Sequence, residues 1–316
     1  MSYLAFDLLL VALPAVLLLA GADAHRRRAV LGPVAVLSAV ALVWTFPWDA
    51  HLVRTGVWTY GPDRVLATVG AIPVEELLLV VLEVLLVAAW STRLPRRTGL
   101  SRVPEAGSRL RGTVGWVTVG GAGVLLLVIG GHARYLGLLL TWASVPLALQ
   151  TAVAGDVLAA ARLTRAVTAL PVALWLCAAD RLALADGIWT ITPASSTGLL
   201  VLGLPVEEAA FFLLTALLVT DGLLLATSPV ALARASLLLR AGVVRAGIGS
   251  RAARQPVALS EREARRCRSA TPSSTWWATP PWSGSTGSPR ASRPRSSPRS
   301  STSTPVARSR TASRSG

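Results

Sequence analysis

Two stretches decide the fold: Ala71-Ile72-Pro73-Val74-Glu75-Glu76-Leu77-Leu78-Leu79-Val80 and Gly203-Leu204-Pro205-Val206-Glu207-Glu208-Ala209-Ala210-Phe211-Phe212. Each sets Pro-Val-Glu-Glu at the head of, or within, an apolar run. Proline suits the first turn of a helix, where its missing N–H is not needed. A carboxylate in that turn is favoured by the helix dipole. From Pro73 to Ser91 there is about one membrane thickness of helix. Two readings stay open. The spanning helix starts at Pro73 and the apolar stretch before it is bent or re-entrant, or one kinked helix runs from Val65 and carries the Glu pair near mid-membrane.

Outward from the motifs, the chain repeats itself. Asp49, Gly56-Val57-Trp58-Thr59 and Pro73-Val74-Glu75-Glu76 recur as Asp180, Gly187-Ile188-Trp189-Thr190 and Pro205-Val206-Glu207-Glu208. One residue is inserted between the Trp-Thr pair and the second motif. Hydropathy places seven spans, at about 3–20, 29–46, 65–90, 112–130, 135–154, 163–184 and 198–225. Each repeat holds three spans. Three is odd, so the extra fourth span restores the orientation and makes the repeats parallel, about an axis along the membrane normal. The expected architecture is an all-α integral membrane bundle. Residues 1–92 form the first repeat and 93–133 a basic loop with the linking helix. Residues 134–230 form the second repeat and 231–316 a basic tail. Within that tail, the stretch 231–248 carries Arg234, Arg240 and Arg245 and reads as a surface-lying helix.

Composition agrees. Of 316 residues 53% are hydrophobic and 15% charged, with a mean hydropathy of +0.56. A soluble domain carries about a quarter charged residues. The net charge of +15 does not signal nucleic-acid binding, because it concentrates beyond Gly249, where 13 Arg face 2 Glu. That Ser/Pro/Arg-rich region has no periodicity that could bury a core and reads as disordered. Its composition also fits a GC-rich frame translated out of phase. Cys177 and Cys267 offer neither a disulfide framework nor metal-ligand spacing, so no metal is expected. Arginines gather in the loops after the first, third and fifth spans, at Arg26–Arg28, at Arg93 to Arg111, and at Arg162 and Arg165. The positive-inside rule then puts the N-terminus outside and the C-terminus in the cytoplasm of a multi-pass cell-membrane protein.

An ionisable residue inside the membrane is a functional hypothesis by default. Glu75, Glu76, Glu207 and Glu208 are therefore the candidate catalytic groups, against a plainer reading as helix caps or partners of a loop Arg. Trp58, Tyr60, Trp189, Phe211 and Phe212 are the candidate substrate-contacting residues. The tryptophans are equally suited to interfacial anchoring, and the two phenylalanines to facing lipid or packing. An aromatic wall also attracts cations in a dry site. Glu83 has no acidic counterpart in the second repeat, and His51 is a weak further candidate.

The doubled pattern, Asp-x6-Gly-[Val/Ile]-Trp-Thr followed by Pro-Val-Glu-Glu, resembles the membrane-integral lycopene cyclases over roughly residues 1–230. That family occurs as two small subunits or as one fused chain, and this chain resembles the fused form. The resemblance implies redox-neutral closure of the ends of a linear carotenoid, normally to β-rings. It carries the acid–base roles onto Glu75, Glu76, Glu207 and Glu208. Protonation of the terminal double bond gives a tertiary cation, a neighbouring double bond closes the ring, and a base removes a proton. The implied partners are a membrane-dissolved carotenoid and the lipid bilayer, with no nucleic acid. Association with other carotenoid enzymes is left open. No cofactor is expected, since no Gly-x-Gly-x-x-Gly follows a strand. A proton-coupled transporter and a membrane prenyltransferase are the rival readings. The second lacks the clustered Asp that would hold a magnesium diphosphate.

Overall fold

A computed structural model describes residues 1–95 and 107–245. Seven long helices follow one another: α1 (Tyr3–Ala20), α2 (Ala24–Arg54), α3 (Val74–Ser91), α4 (Ser108–Ile129), α5 (Arg134–Ala160), α6 (Arg162–Ala185) and α7 (Val206–Ala226). An eighth, α8 (Pro229–Arg245), follows α7. Among the described residues, six helices are long and apolar enough to cross a membrane. The remaining expected span, the third, is α3, 18 residues that carry Glu75, Glu76 and Glu83. The chain is thus an all-α membrane bundle with very little strand.

The helix ends sort onto two faces. On one, the Tyr3 N–H donates to the Arg64 carbonyl at 2.9 Å, and Arg64 reaches Asp186 at 3.2 Å. On the other, Arg26 donates to the carbonyls of Thr92 and Leu94 at 2.9 and 3.1 Å, and Arg93 to that of Gly21 at 2.7 Å. Helix α8 docks through a two-pronged Arg234–Asp156 pair at 2.6 and 2.8 Å. The tail beyond it, where the sequence reads as disordered, lies outside the described residues.

The third and seventh spans begin later than hydropathy suggests. The apolar stretch before Pro73 is not helix but a small hairpin, β2 (Thr68–Val69) with β3 (Ile72–Pro73). Its turn holds Gly70 at φ +66°, left-handed backbone that the equivalent Leu202 also adopts at φ +53° in the second repeat. The second repeat builds the same hairpin from β5 (Leu200–Val201) and β6 (Leu204–Pro205). This excludes the kinked helix from Val65 and starts α3 immediately after Pro73.

The repeats meet through equivalent parts. Strand β1 (Trp58–Tyr60) pairs antiparallel with β4 (Trp189–Ile191), and Thr59 faces Thr190 with their hydroxyls 2.7 Å apart. An antiparallel pair of equivalent strands has a local twofold axis through it. Deeper in the bundle the Thr215 hydroxyl donates to Glu83, and these two positions are also repeat equivalents, 132 residues apart. The axis therefore passes between β1 and β4 and between α3 and α7.

Helix α4 stands aside from this symmetry and packs chiefly along α5. Small residues permit the close approach, as at many membrane helix contacts. A Cβ on Gly123 would stand 2.8 Å from the Thr141 nitrogen and 3.0 Å from the Gly137 carbonyl oxygen. Gly123→Val is expected to cost about 1–3 kcal/mol through this overpacking. The unfolding midpoint of the detergent-solubilised protein checks it, with Gly121→Val as the control, since Gly121 has open space beside it.

Candidate active site

Both Glu pairs sit in the first turn of their helices, with Pro73 and Pro205 as the residues before them. Neighbours on a helix point about 100° apart, and the structure uses that divergence. The first Glu of each pair turns back to the chain that precedes it. Glu75 accepts the Leu66 N–H at 2.7 Å, and Glu207 accepts the Thr197 N–H at 2.6 Å. Both are almost wholly buried. They pin the hairpin connection against the helix head, a role that is neither a cap on the helix's own N–H groups nor an ion pair with a loop Arg.

The second Glu of each pair turns inward. Glu76 accepts the Tyr3 hydroxyl at 2.6 Å and the Tyr60 hydroxyl at 3.0 Å on one oxygen. Glu208 accepts the Tyr135 hydroxyl at 2.6 Å. Tyr3 and Tyr135 each lie 73 residues before their carboxylate, so the two bonds are images of each other. Beyond that the halves diverge. Asp180 accepts the Trp189 indole N–H at 2.9 Å on one oxygen and leaves the other without a hydrogen-bond partner. Asp49, the counterpart of Asp180, is buried with neither oxygen hydrogen bonded. Where the first half has Tyr60 on β1, the second has Ile191, which cannot donate. Burial, with the Glu76 carboxylate beside it, pushes the Tyr60 phenol well above its ordinary range, so it stays a donor.

Glu76 and Glu208 line one shared cavity of about 20 Å³. Tyr3, Tyr60 and Leu79 wall it from the first repeat, Trp189 and Phe212 from the second, and Trp58 and Phe211 close it. The rings are in contact: Tyr3 with Trp189 at 4.9 Å between centroids, Trp58 with Phe211 at 5.9 Å, and Phe211 with Phe212 at 5.1 Å. Behind them Trp48 stacks on Trp142 at 4.5 Å. The two phenylalanines are therefore interior residues and do not face lipid. Of the remaining sequence candidates, His51 is exposed and lies outside the cavity, and Glu83 binds Thr215 across the axis. Trp44 and Trp175 sit exposed on the outer surface, where the anchoring reading suits them.

Sequence reasoning passed over Tyr3, Tyr135 and Asp7. The repeat offset that relates the Glu pairs also relates the tyrosines. Asp7 is an ionisable residue within the first span, which is itself a signal. It heads a π-helical turn, Asp7–Ala12, and is buried with neither oxygen hydrogen bonded. Such turns recur at functional sites.

The sequence profile of the lycopene cyclase family matches residues 1–93 and 134–221, more than half of the chain. A lycopene beta-cyclase of Halobacterium salinarum is 40% identical over 228 residues, which cover 71% of this chain and 95% of that protein. A bifunctional lycopene cyclase/phytoene synthase of Arthroderma gypseum is 34% identical over 211 residues, 60% of this chain and 35% of that longer protein. No solved structure matches the chain.

The pinning role of the first Glu of each pair has a measurable signature. In Glu207→Gln the Thr197 amide loses its charged acceptor, and hydrogen exchange across 196–200 should rise by about tenfold, equivalent to about 1.4 kcal/mol. Glu208→Gln should leave that segment protected. Equal exchange in both variants would remove the distinction.

Proposed function

The chain belongs to the lycopene cyclase family, and from that we infer that it closes the end groups of a linear carotenoid in the aromatic cavity that its two repeats share. It is a membrane enzyme, and the reaction is an intramolecular, redox-neutral isomerisation. The observation that carries the mechanistic reading is that Glu76 and Glu208, from equivalent positions, line the same aromatic-walled space.

The hydrogen bonds divide the labour between the two carboxyls. Glu208 lines the cavity and receives a single phenol donor, from Tyr135, so its charge is less well supported and we assign it as the acid. Glu76 receives two phenol donors and has no acidic group bonded to it. A carboxylate so supplied is equipped to carry negative charge, and Glu76 is the base.

Glu208 gives its proton to the terminal double bond of the substrate, leaving a tertiary cation. The next double bond supplies the electron pair that closes the six-membered ring and moves the positive charge along the chain. Glu76 takes a proton from a neighbouring carbon, and those C–H electrons become the new ring double bond. One proton enters and one leaves. The faces of Trp58, Trp189 and Phe211 attract the passing cation, and the apolar wall keeps water from capturing it. Because both carboxyls face one cavity, the proton on Glu76 has a short way back to Glu208. A space of about 20 Å³ holds little more than a water, so the walls must part to admit an isoprenoid end. Glu75 and Glu207 hold the frame in this scheme and do not touch the substrate.

Expression in a lycopene-accumulating host with pigment chromatography tests the reading. Glu76→Gln and Glu208→Gln should each lower ring formation by about a hundredfold or more while protein still accumulates in the membrane. Wild-type ring formation in the Glu76 and Glu208 variants would sink the assignment. Topology is a separate expectation. The Arg26, Arg93 and Arg162 face is cytoplasmic and the β1–β4 face is external, so the N-terminus is outside. Reporters fused after Arg93 and after Ser195 should report opposite sides, the first in the cytoplasm.

A further inference from the structure

At the end of the bundle opposite the aromatic cavity lies a second, larger one of about 780 Å³. It opens between α2, the end of α3, the α5–α6 junction and the end of α7. Its floor is apolar, with Val30, Pro33, Leu223 and Leu224. Its rim is basic and hydroxyl-bearing, with Arg26, Arg162 and Thr164.

The rim residues are not all spoken for by the protein. Ser91, Thr92, Thr168 and Thr227 return their hydroxyls to carbonyls of their own helices, as membrane threonines and serines usually do. Thr220 does not. It is 1% exposed, lines this cavity, and its hydroxyl has no hydrogen-bond partner. A buried hydroxyl left unpaired costs free energy, which a ligand atom would remove. Helix α6 opens at this cavity through Arg162, Leu163 and Thr164, and its N-cap residue Ala161 provides no side-chain cap. The first N–H groups of a helix lack partners within it and favour an anion. The nearest acid on α7, Asp221, is neutralised by a two-pronged bond from Arg165 at 2.6 and 2.7 Å. Positive charge, free donors and an apolar floor thus converge on one opening, on the arginine-rich face.

We propose that this cavity is a binding site for a phosphate-headed lipid. The head is held by Arg162, the opening turn of α6 and the Thr220 hydroxyl, and an acyl chain lies over Val30 and Leu224. Basic pockets between membrane helices on the cytoplasmic side take such heads. The site is separate from the aromatic cavity and shares no lining residue with it.

Native mass spectrometry of the full chain in detergent tests the proposal, with phosphatidylglycerol, diacylglycerol and inorganic phosphate as probes. The wild type should retain one phosphatidylglycerol per chain and no diacylglycerol. Arg162→Ala and Thr220→Val should each weaken retention about tenfold, and Arg134→Ala, at the other end of the bundle, should not. Ring formation should stay at the wild-type level in all three, which shows that they fold. Equal retention of diacylglycerol, or retention unchanged in the Arg162 and Thr220 variants, would overturn the site. Displacement of the lipid by an equal concentration of inorganic phosphate would assign the cavity to the free ion and overturn the lipid.

Discussion

Inside a bilayer a backbone N–H has no water to bond, and neither does a carboxylate. The heads of α3 and α7 answer both needs at once. Each first-position Glu takes an N–H from the chain folded over the helix end, Leu66 for Glu75 and Thr197 for Glu207. That bond holds non-helical chain against apolar surroundings and fixes the rotation of the helix below it. The rotation then decides where the second Glu points. Glu76 and Glu208 face the interior because Glu75 and Glu207 are already committed to the loops. The β1–β4 pairing, the tyrosine contacts and the shared cavity all depend on this setting of two helix heads.

The frame is symmetric and its chemistry is not. The tyrosine–Glu bonds, the hairpins and the strand pair obey the twofold relation closely. Among the substitutions that break it are Tyr60 against Ile191, Asp7 against Leu139, Leu79 against Phe211 and Glu83 against Thr215. The first half holds more carboxyls and more phenols, and the second half holds the bond from the Trp189 indole to Asp180. A symmetric scaffold brings two similar carboxyls to one point and gives them different neighbours, two phenols at Glu76 and one at Glu208.

Much of this was legible in the sequence, and the failures have definite causes. The spans, the parallel repeats and the doubled Glu motif follow from hydropathy and spacing. The starts of the third and seventh spans do not, because Val65, Leu66, Val69 and Ile72 are as apolar as a helix would be. The left-handed Gly70 marks the first turn and Gly203 the second. The exchange of roles within each Glu pair was hidden as well. Sequence shows two adjacent carboxylates, and it takes the loop geometry to show which is engaged. Tyr3 and Tyr135 stand far from the motif along the chain, so they came to notice only in space. Their common 73-residue separation was nonetheless there to be read.

Helix α4 leans chiefly on α5 and lines neither cavity. Its work is to carry the chain back across the bilayer so that the second repeat starts on the same side as the first. Two shorter polypeptides would each choose their own insertion, and neither would need that crossing. Every wall of the aromatic cavity would still be present, since each comes from one repeat or the other. What the crossing adds is effective concentration: the two halves are made together, in equal number and always within reach. The unbroken chain is in this sense an assembly device, and the reaction belongs to the halves it joins.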